Sequence, residues 1–163
     1  MQPENIAFAR LGQFLPFFHI TSVIFFVGLQ IGFWYVLKFF LKENSTKESY
    51  NDVLNALKIF WYMILIGLLL IVVTGSFVQV ADMMKSADPM ANAILGTKYT
   101  LFGFLTLNVL YMIYCYKKSK NAFLVDEMIE CYENIVVIIK YFIPLNIIIS
   151  LVATYLGVAY RGF

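Results

Sequence analysis

Four apolar stretches constrain this chain more than any other feature: residues 14–37, 57–81, 96–116 and 134–158 each carry at most one charged side chain. A helix crosses the hydrocarbon core of a bilayer in about 20 residues, so each stretch is long enough to span. Backbone groups in lipid must find their partners inside the structure, so four spans joined by polar connections at 38–56, 82–95 and 117–133 predict a single all-α domain, an integral membrane antiparallel four-helix bundle. Composition agrees: 61% of residues are hydrophobic and 13% charged, with a mean hydropathy of +0.79. One core of a 163-residue soluble domain could not hide that much apolar surface. A soluble enzyme, a nucleic-acid binder and a disordered tail are excluded, and a net charge of +2 marks no polyanion partner. The first stretch is too long for a signal-peptide core, is preceded by one basic residue, Arg10, and has no small-residue cleavage site after it. It is read as a mature span.

Basic residues orient the spans. Lys38, Lys42, Lys47, Lys58, Lys117, Lys118 and Lys120 flank the first and third connections, against Arg10, Lys85 and Arg161 on the other side. The excess of Lys and Arg on cytoplasmic loops predicts both termini outside the cytoplasm, in a membrane of the bacterial inner-membrane type. Trp34 and Trp61 then fall at the cytoplasmic interface, where amphipathic rings belong. Cys115 and Cys131 fall on the same reducing side and are expected to be free thiols. Gly28 with Gly32, and Gly67 and Gly75, are expected to mark close helix approach.

Ionisable groups at membrane depth are costly, which singles out His19, the only histidine, about two turns into the first span. Lys98 opens the third span at comparable depth. The helical period sets Gln30 on the face of His19 with Ser22 beside it, and Asn146, Ser150 and Thr154 form a polar line on the last span. Both stripes are expected to face inward. The alternatives are packing roles: His19 and Asn108 as interhelical hydrogen-bond glue, His19 as a proton relay, and Lys98 and Lys140 snorkelling to headgroups. A single histidine excludes a two-haem cytochrome and a zinc protease within one chain, but leaves one haem held by His19. Sixteen Phe and eleven Tyr supply flat walls for a porphyrin, and Arg10 or Arg161 could pair with propionates.

Phe17-Phe18-His19-Ile20 followed by Phe26-Val27-Gly28-Leu29, then Gly67 with Thr74-Gly75, then Lys98-Tyr99-Thr100-Leu101 running to Tyr111-Met112-Ile113-Tyr114-Cys115, resemble the HemJ-type protoporphyrinogen oxidases and the related CopD-like copper-resistance membrane proteins. The likeness covers roughly residues 17–118. It implies a small helical membrane protein binding haem b, with His19 and Lys98 at the functional centre, and oxidation of protoporphyrinogen IX to protoporphyrin IX as the activity. The chain departs from the pattern in three places: Phe26 stands where a Trp is usual, an Arg later in that helix is missing, and no second His ends it. These departures weigh on the enzymatic assignment more than on haem binding.

Three functions follow as expectations. The first is a haem-binding redox protein with His19 as axial iron ligand and Lys98, Ser22, Gln30 and Arg10 around the cofactor, acting on a porphyrin substrate. The second is copper handling through Met83, Met84 and Met90 in the outer connection. The third is an accessory subunit, docked in a homo-oligomer or a larger membrane complex and without chemistry of its own.

Overall fold

The computed structural model describes residues 6–43, 47–82 and 89–159. Helix α1 (Ile6–Glu43) pairs with α2 (Lys47–Asp82); α3 (Pro89–Leu124) pairs with α4 (Met128–Val137), which continues through a π-helical turn at Ile138–Phe142 into α5 (Ile143–Ala159). Counting α4 to α5 as one interrupted helix, the described residues form four helices, all long and apolar enough to cross a membrane, and contain no strand. The fold is the expected antiparallel four-helix bundle. α1 packs along α2 and also against α5, while α3 packs along α4 and α5; α2 and α3 touch little.

The helices outrun the stretches that announce them. At ~1.5 Å per residue the 38 residues of α1 reach ~57 Å, against ~30 Å of hydrocarbon. The extra length comes from the polar connections, whose described residues are helix except at 125–127, because Lys, Glu, Ala and Leu propagate a helix as readily in water as in lipid. Between α3 and α4 only residues 125–127 leave the helix. The turn is a Schellman cap: Asp126 takes the left-handed conformation (φ 66°), Glu127 N–H donates to Ala122 O at 2.9 Å and Asp126 N–H to Phe123 O at 3.4 Å. Lys47 at the start of α2 pairs with Asp126 at 2.7 Å, tying one hairpin to the turn of the other, although both groups are exposed and the pair contributes little stability.

The π-helical turn has a local cause. Pro144 has no N–H, so the carbonyl four residues before it loses its donor. The helix widens there: Ile143 N–H donates to Ile138 O, leaving Ile139 O without Ile143 as its usual partner and with proline at the next position. Trp34 Nε1 of α1 donates to Ile139 O at 2.9 Å. The indole expected only at a membrane interface also closes a gap in a neighbouring helix.

Residue pairs across the helices run in step. His19 meets Thr74, Phe26 meets Gly67 and Phe33 meets Phe60 along α1 and α2; Lys98 meets Gly157 and Met112 meets Asn146 along α3 and α5. This register brings Lys38, Lys58, Lys117 and Lys140, one from each helix and all exposed, within about two turns of one another. Lys38 lies over the Trp34 ring at 5.0 Å.

Among the described residues, the fully buried side chains lie in one half of the bundle. Buried side chains run from Phe26 to Leu37 on α1, Val53 to Ile64 on α2, Leu105 to Ala122 on α3 and Cys131 to Ser150 on the fourth helix. Towards the end where α1 begins and α5 finishes, no described side chain is buried. We call this the open end and the other, where α1 joins α2 and α3 joins α4, the hairpin end.

Two of the glycine expectations need separating. Gly67 and Gly75 sit at close approaches: a Cβ on Gly67 would stand 2.8 Å from Phe26 Cδ2, and one on Gly75 would stand 3.1 Å from His19 Cε1. Gly28 and Gly32 are corrected, since nothing lies within 4 Å of a Cβ at either. They share the outer face of α1, turned from α2 because the α1 ridge that packs there runs through His19, Phe26 and Phe33.

Candidate functional site

His19 stands at the open end of α1, half-buried against α2. Its Nδ1 lies 2.9 Å from Thr74 Oγ1. Thr74 has one hydroxyl proton, and Leu70 O takes it at 2.6 Å, so Oγ1 presents a lone pair and the imidazole donates from Nδ1. In the neutral ring the basic lone pair then belongs to Nε2, the arrangement by which a hydrogen bond on one ring nitrogen sets the other for metal coordination. Gly75 makes room for the ring, whose Cε1 edge rests on the α2 backbone. The interhelical hydrogen bond weighed as an alternative role for His19 is therefore present, made by the nitrogen that a ligand role would leave for it.

Lys98 also stands at the open end, on α3. Its Nζ would be 3.4 Å from a Cβ on Gly157 of α5, so the amine lies over a glycine as the His19 ring does. Carrying the helix registers across α5 through the Trp34 to Ile139 contact sets His19 about level with Thr154, one turn, ~5 Å, from Gly157. The two groups thus share a depth, as expected, but on different helix pairs: His19 packs on α2 and Lys98 on α5.

The remaining predicted residues divide. Ser22 Oγ donates to Phe18 O of its own helix at 2.8 Å, spending its hydroxyl locally. Gln30 is fully buried near mid-span, its Nε2 3.4 Å from Phe26 O. It belongs to the packed half, more than two turns below His19. The side chain of Arg10, with Met83, Met84, Lys85, Asp88 and Arg161, lies outside the described residues. Asn146 and Ser150 face inward as expected, whereas Thr154 is exposed and bonds back to Ser150 O at 2.7 Å. Asn108 is buried. Cys115 and Cys131 are both free and buried, Cys131 beside Ser119 Oγ at 3.3 Å.

Thr74 as the histidine's partner and Gly157 as the lysine's seat were not singled out from the sequence. Both follow from helix register, although the Thr74-Gly75 pair within the family-like stretch was a usable signal.

Among the described residues no three His, Cys, Asp or Glu side chains gather to hold a bare metal ion. Two surface hollows, of about 560 Å³ beside the acidic α3–α4 turn and about 330 Å³ along Leu29, Gly32, Phe33 and Val36, are lined by neither His19 nor Lys98. On α1 the exposed rings of Phe14, Phe17 and Phe18 stand on the same end of the helix as His19. No family model, no curated protein and no solved structure matches the chain.

Proposed function

We propose that the chain is an integral membrane haem-binding redox protein resembling the HemJ-type oxidases, set in a bacterial inner membrane with both termini on the non-cytoplasmic side. The observation that supports this most is the His19 hydrogen bond to Thr74, made at the end of the bundle where no described side chain is buried. A histidine oriented through Nδ1 is prepared to offer Nε2 to iron. Lys98, at similar depth on another helix pair, supplies a cation for a porphyrin carboxylate, and the exposed Phe rings of α1 supply apolar walls. Bound haem b would bring one-electron exchange. The chain's own residues hold the ring, orient the imidazole and keep one face of the site apolar. On the likeness, the substrate is protoporphyrinogen IX.

The test is the absorption spectrum of the detergent-purified protein, oxidised and reduced. A Soret band that shifts on reduction, disappears in His19→Ala and is retained less tightly in Lys98→Ala is the expected result. Colourless protein that takes up no added haem overturns the proposal. The second reading is the accessory subunit, favoured by one observation: the Gly28 and Gly32 face of α1 is open, as a face that receives a helix from another chain would be. Colourless protein recovered with a stoichiometric membrane partner would select it. The copper alternative rests on Met83, Met84 and Met90, the first two outside the described residues.

A further inference from the structure

Each helix carries the same two residues where the uncharged part of its sequence meets the hairpin end. Lys38 on α1, Lys58 on α2, Lys117 on α3 and Lys140 on the fourth helix are exposed. An exposed tyrosine accompanies each: Tyr35 with Lys38, Tyr62 with Lys58, Tyr114 with Lys117 and Tyr141 with Lys140, all 60–73% exposed. In every case the tyrosine is on the open-end side of its lysine, although two of the helices run one way and two the other. Residues three or four apart share a helix face, and on the π-helical turn the neighbours Lys140 and Tyr141 are both turned outward. The order along the bundle axis is therefore the same four times over: apolar residues, then phenol, then ammonium.

The lengths of the uncharged runs put this collar at one edge of the hydrocarbon. Residues 11–37, 59–81, 99–116 and 141–160 contain no Asp, Glu, Lys or Arg. The shortest run covers about 27 Å at ~1.5 Å per residue, close to the ~30 Å of a bilayer core. Amphipathic rings collect at that boundary, and lysine stems lie along apolar surface while lifting their ammonium groups to the headgroups. Flexible stems can bring four lysines staggered by about two turns to one plane of phosphates. Their charges are not cancelled within the protein. The ion pairs among the described residues, Lys47 with Asp126 and Lys118 with Glu130, use other lysines. Lys38 lies over the Trp34 ring at 5.0 Å, which holds the ammonium in place without neutralising it.

We propose that the collar binds anionic phospholipid, each lysine taking a headgroup phosphate and the tyrosine hydroxyl beside it reaching the glycerol ester region. A headgroup of net negative charge leaves its phosphate uncompensated, whereas a zwitterionic one brings its own ammonium and gains less from a lysine. The distribution selects lipid over an acidic protein partner: one lysine on each helix rings the bundle, while a docked protein would cover one side. The collar is independent of haem, which the opposite end of the bundle would hold.

The test is electron spin resonance of lipids spin-labelled on the acyl chain, with the full-length protein reconstituted in phosphatidylcholine vesicles. Labelled phosphatidylglycerol is expected to associate with the protein several-fold more strongly than labelled phosphatidylcholine in low salt, and the preference should shrink as salt screens it. Lys38→Gln/Lys58→Gln/Lys117→Gln/Lys140→Gln should bring the two lipids close to parity. Two charge-matched double variants keep the test decisive if the quadruple variant fails to insert. Lys58→Gln/Lys140→Gln should lower the preference to an intermediate value, and Lys47→Gln/Lys120→Gln, which removes the same charge nearer the hairpin turns, should leave most of it. Equal association of the two lipids with the unaltered protein, a preference that survives the collar substitutions, or one lost equally in both double variants overturns the proposal.

Discussion

Thr74 has a single proton to give and spends it on its own helix at Leu70 O. That commitment turns the hydroxyl into an acceptor for His19 and makes one tautomer of the ring the favoured one. Thr74→Val keeps the shape and removes the oxygen. We expect it to lower stability by about 0.5–1.5 kcal/mol, the net worth of one hydrogen bond, measured by thermal unfolding in detergent. If His19 holds haem, the same variant should keep the Soret band but broaden or shift it, because the imidazole loses the contact that fixes its orientation; an unchanged spectrum would show that Thr74 does not tune the ligand. Gly67 makes a purely steric case. A Cβ there stands 2.8 Å from the buried Phe26 ring, so Gly67→Ala should cost about 1–3 kcal/mol as overpacking, and Gly67→Ala/Phe26→Leu should recover part of it. His19 was legible in the sequence as the one imidazole in a span. Thr74 as its partner was not, because hydropathy locates a helix in depth and does not say which residue of its neighbour stands opposite.

At the scale of the element, the fourth helix shows how a break is repaired from outside. Proline at 144 explains the π-helical turn, and the turn explains why an interface tryptophan reaches into the bundle. Trp34→Phe should leave Ile139 O unpaired among apolar side chains and cost about 1–3 kcal/mol. Pro144→Ala should offset part of that loss by returning an N–H to the ladder, so the double variant should be more stable than the sum of the single changes predicts; strict additivity would mean that Trp34 and the turn are unrelated. The spans themselves were legible, because twenty apolar residues in a row admit few other fates. Helix ends were legible in part: residues 38–56 and 117–133 read as partly helical, and their described residues are helix except at 125–127, because their Lys, Glu and Ala favour it. Gly28 and Gly32 misled. Small residues permit close approach without requiring it, and the α1 face that meets α2 is the one carrying His19, Phe26 and Phe33.

For the whole molecule, the division into a packed half and an open end decides what any ligand can do. The hairpin half holds every buried side chain among the described residues, including Ile135 and Leu37 at 0% exposure, so it sets stability. The open end holds His19, bonded to Thr74 of α2, and Lys98, over Gly157 of α5, on separate helix pairs. Elements that bury few side chains open at low free energy, and a ligand bound only to the closed arrangement stabilises it by mass action. Amide hydrogen exchange in detergent should therefore be faster in residues 68–77, 98–104 and 151–157 than in residues 53–64 and 131–139 without added ligand. If haem binds between His19 and Lys98, saturating it should slow exchange in the first set and leave the second nearly unchanged. Protection confined to the α1 face around Gly28 and Gly32 would instead place the bound partner on the outside of the bundle and favour the accessory subunit. Uniform exchange across both halves in the ligand-free protein would remove the distinction between packed and open ends, and with it the structural ground for placing a cofactor there.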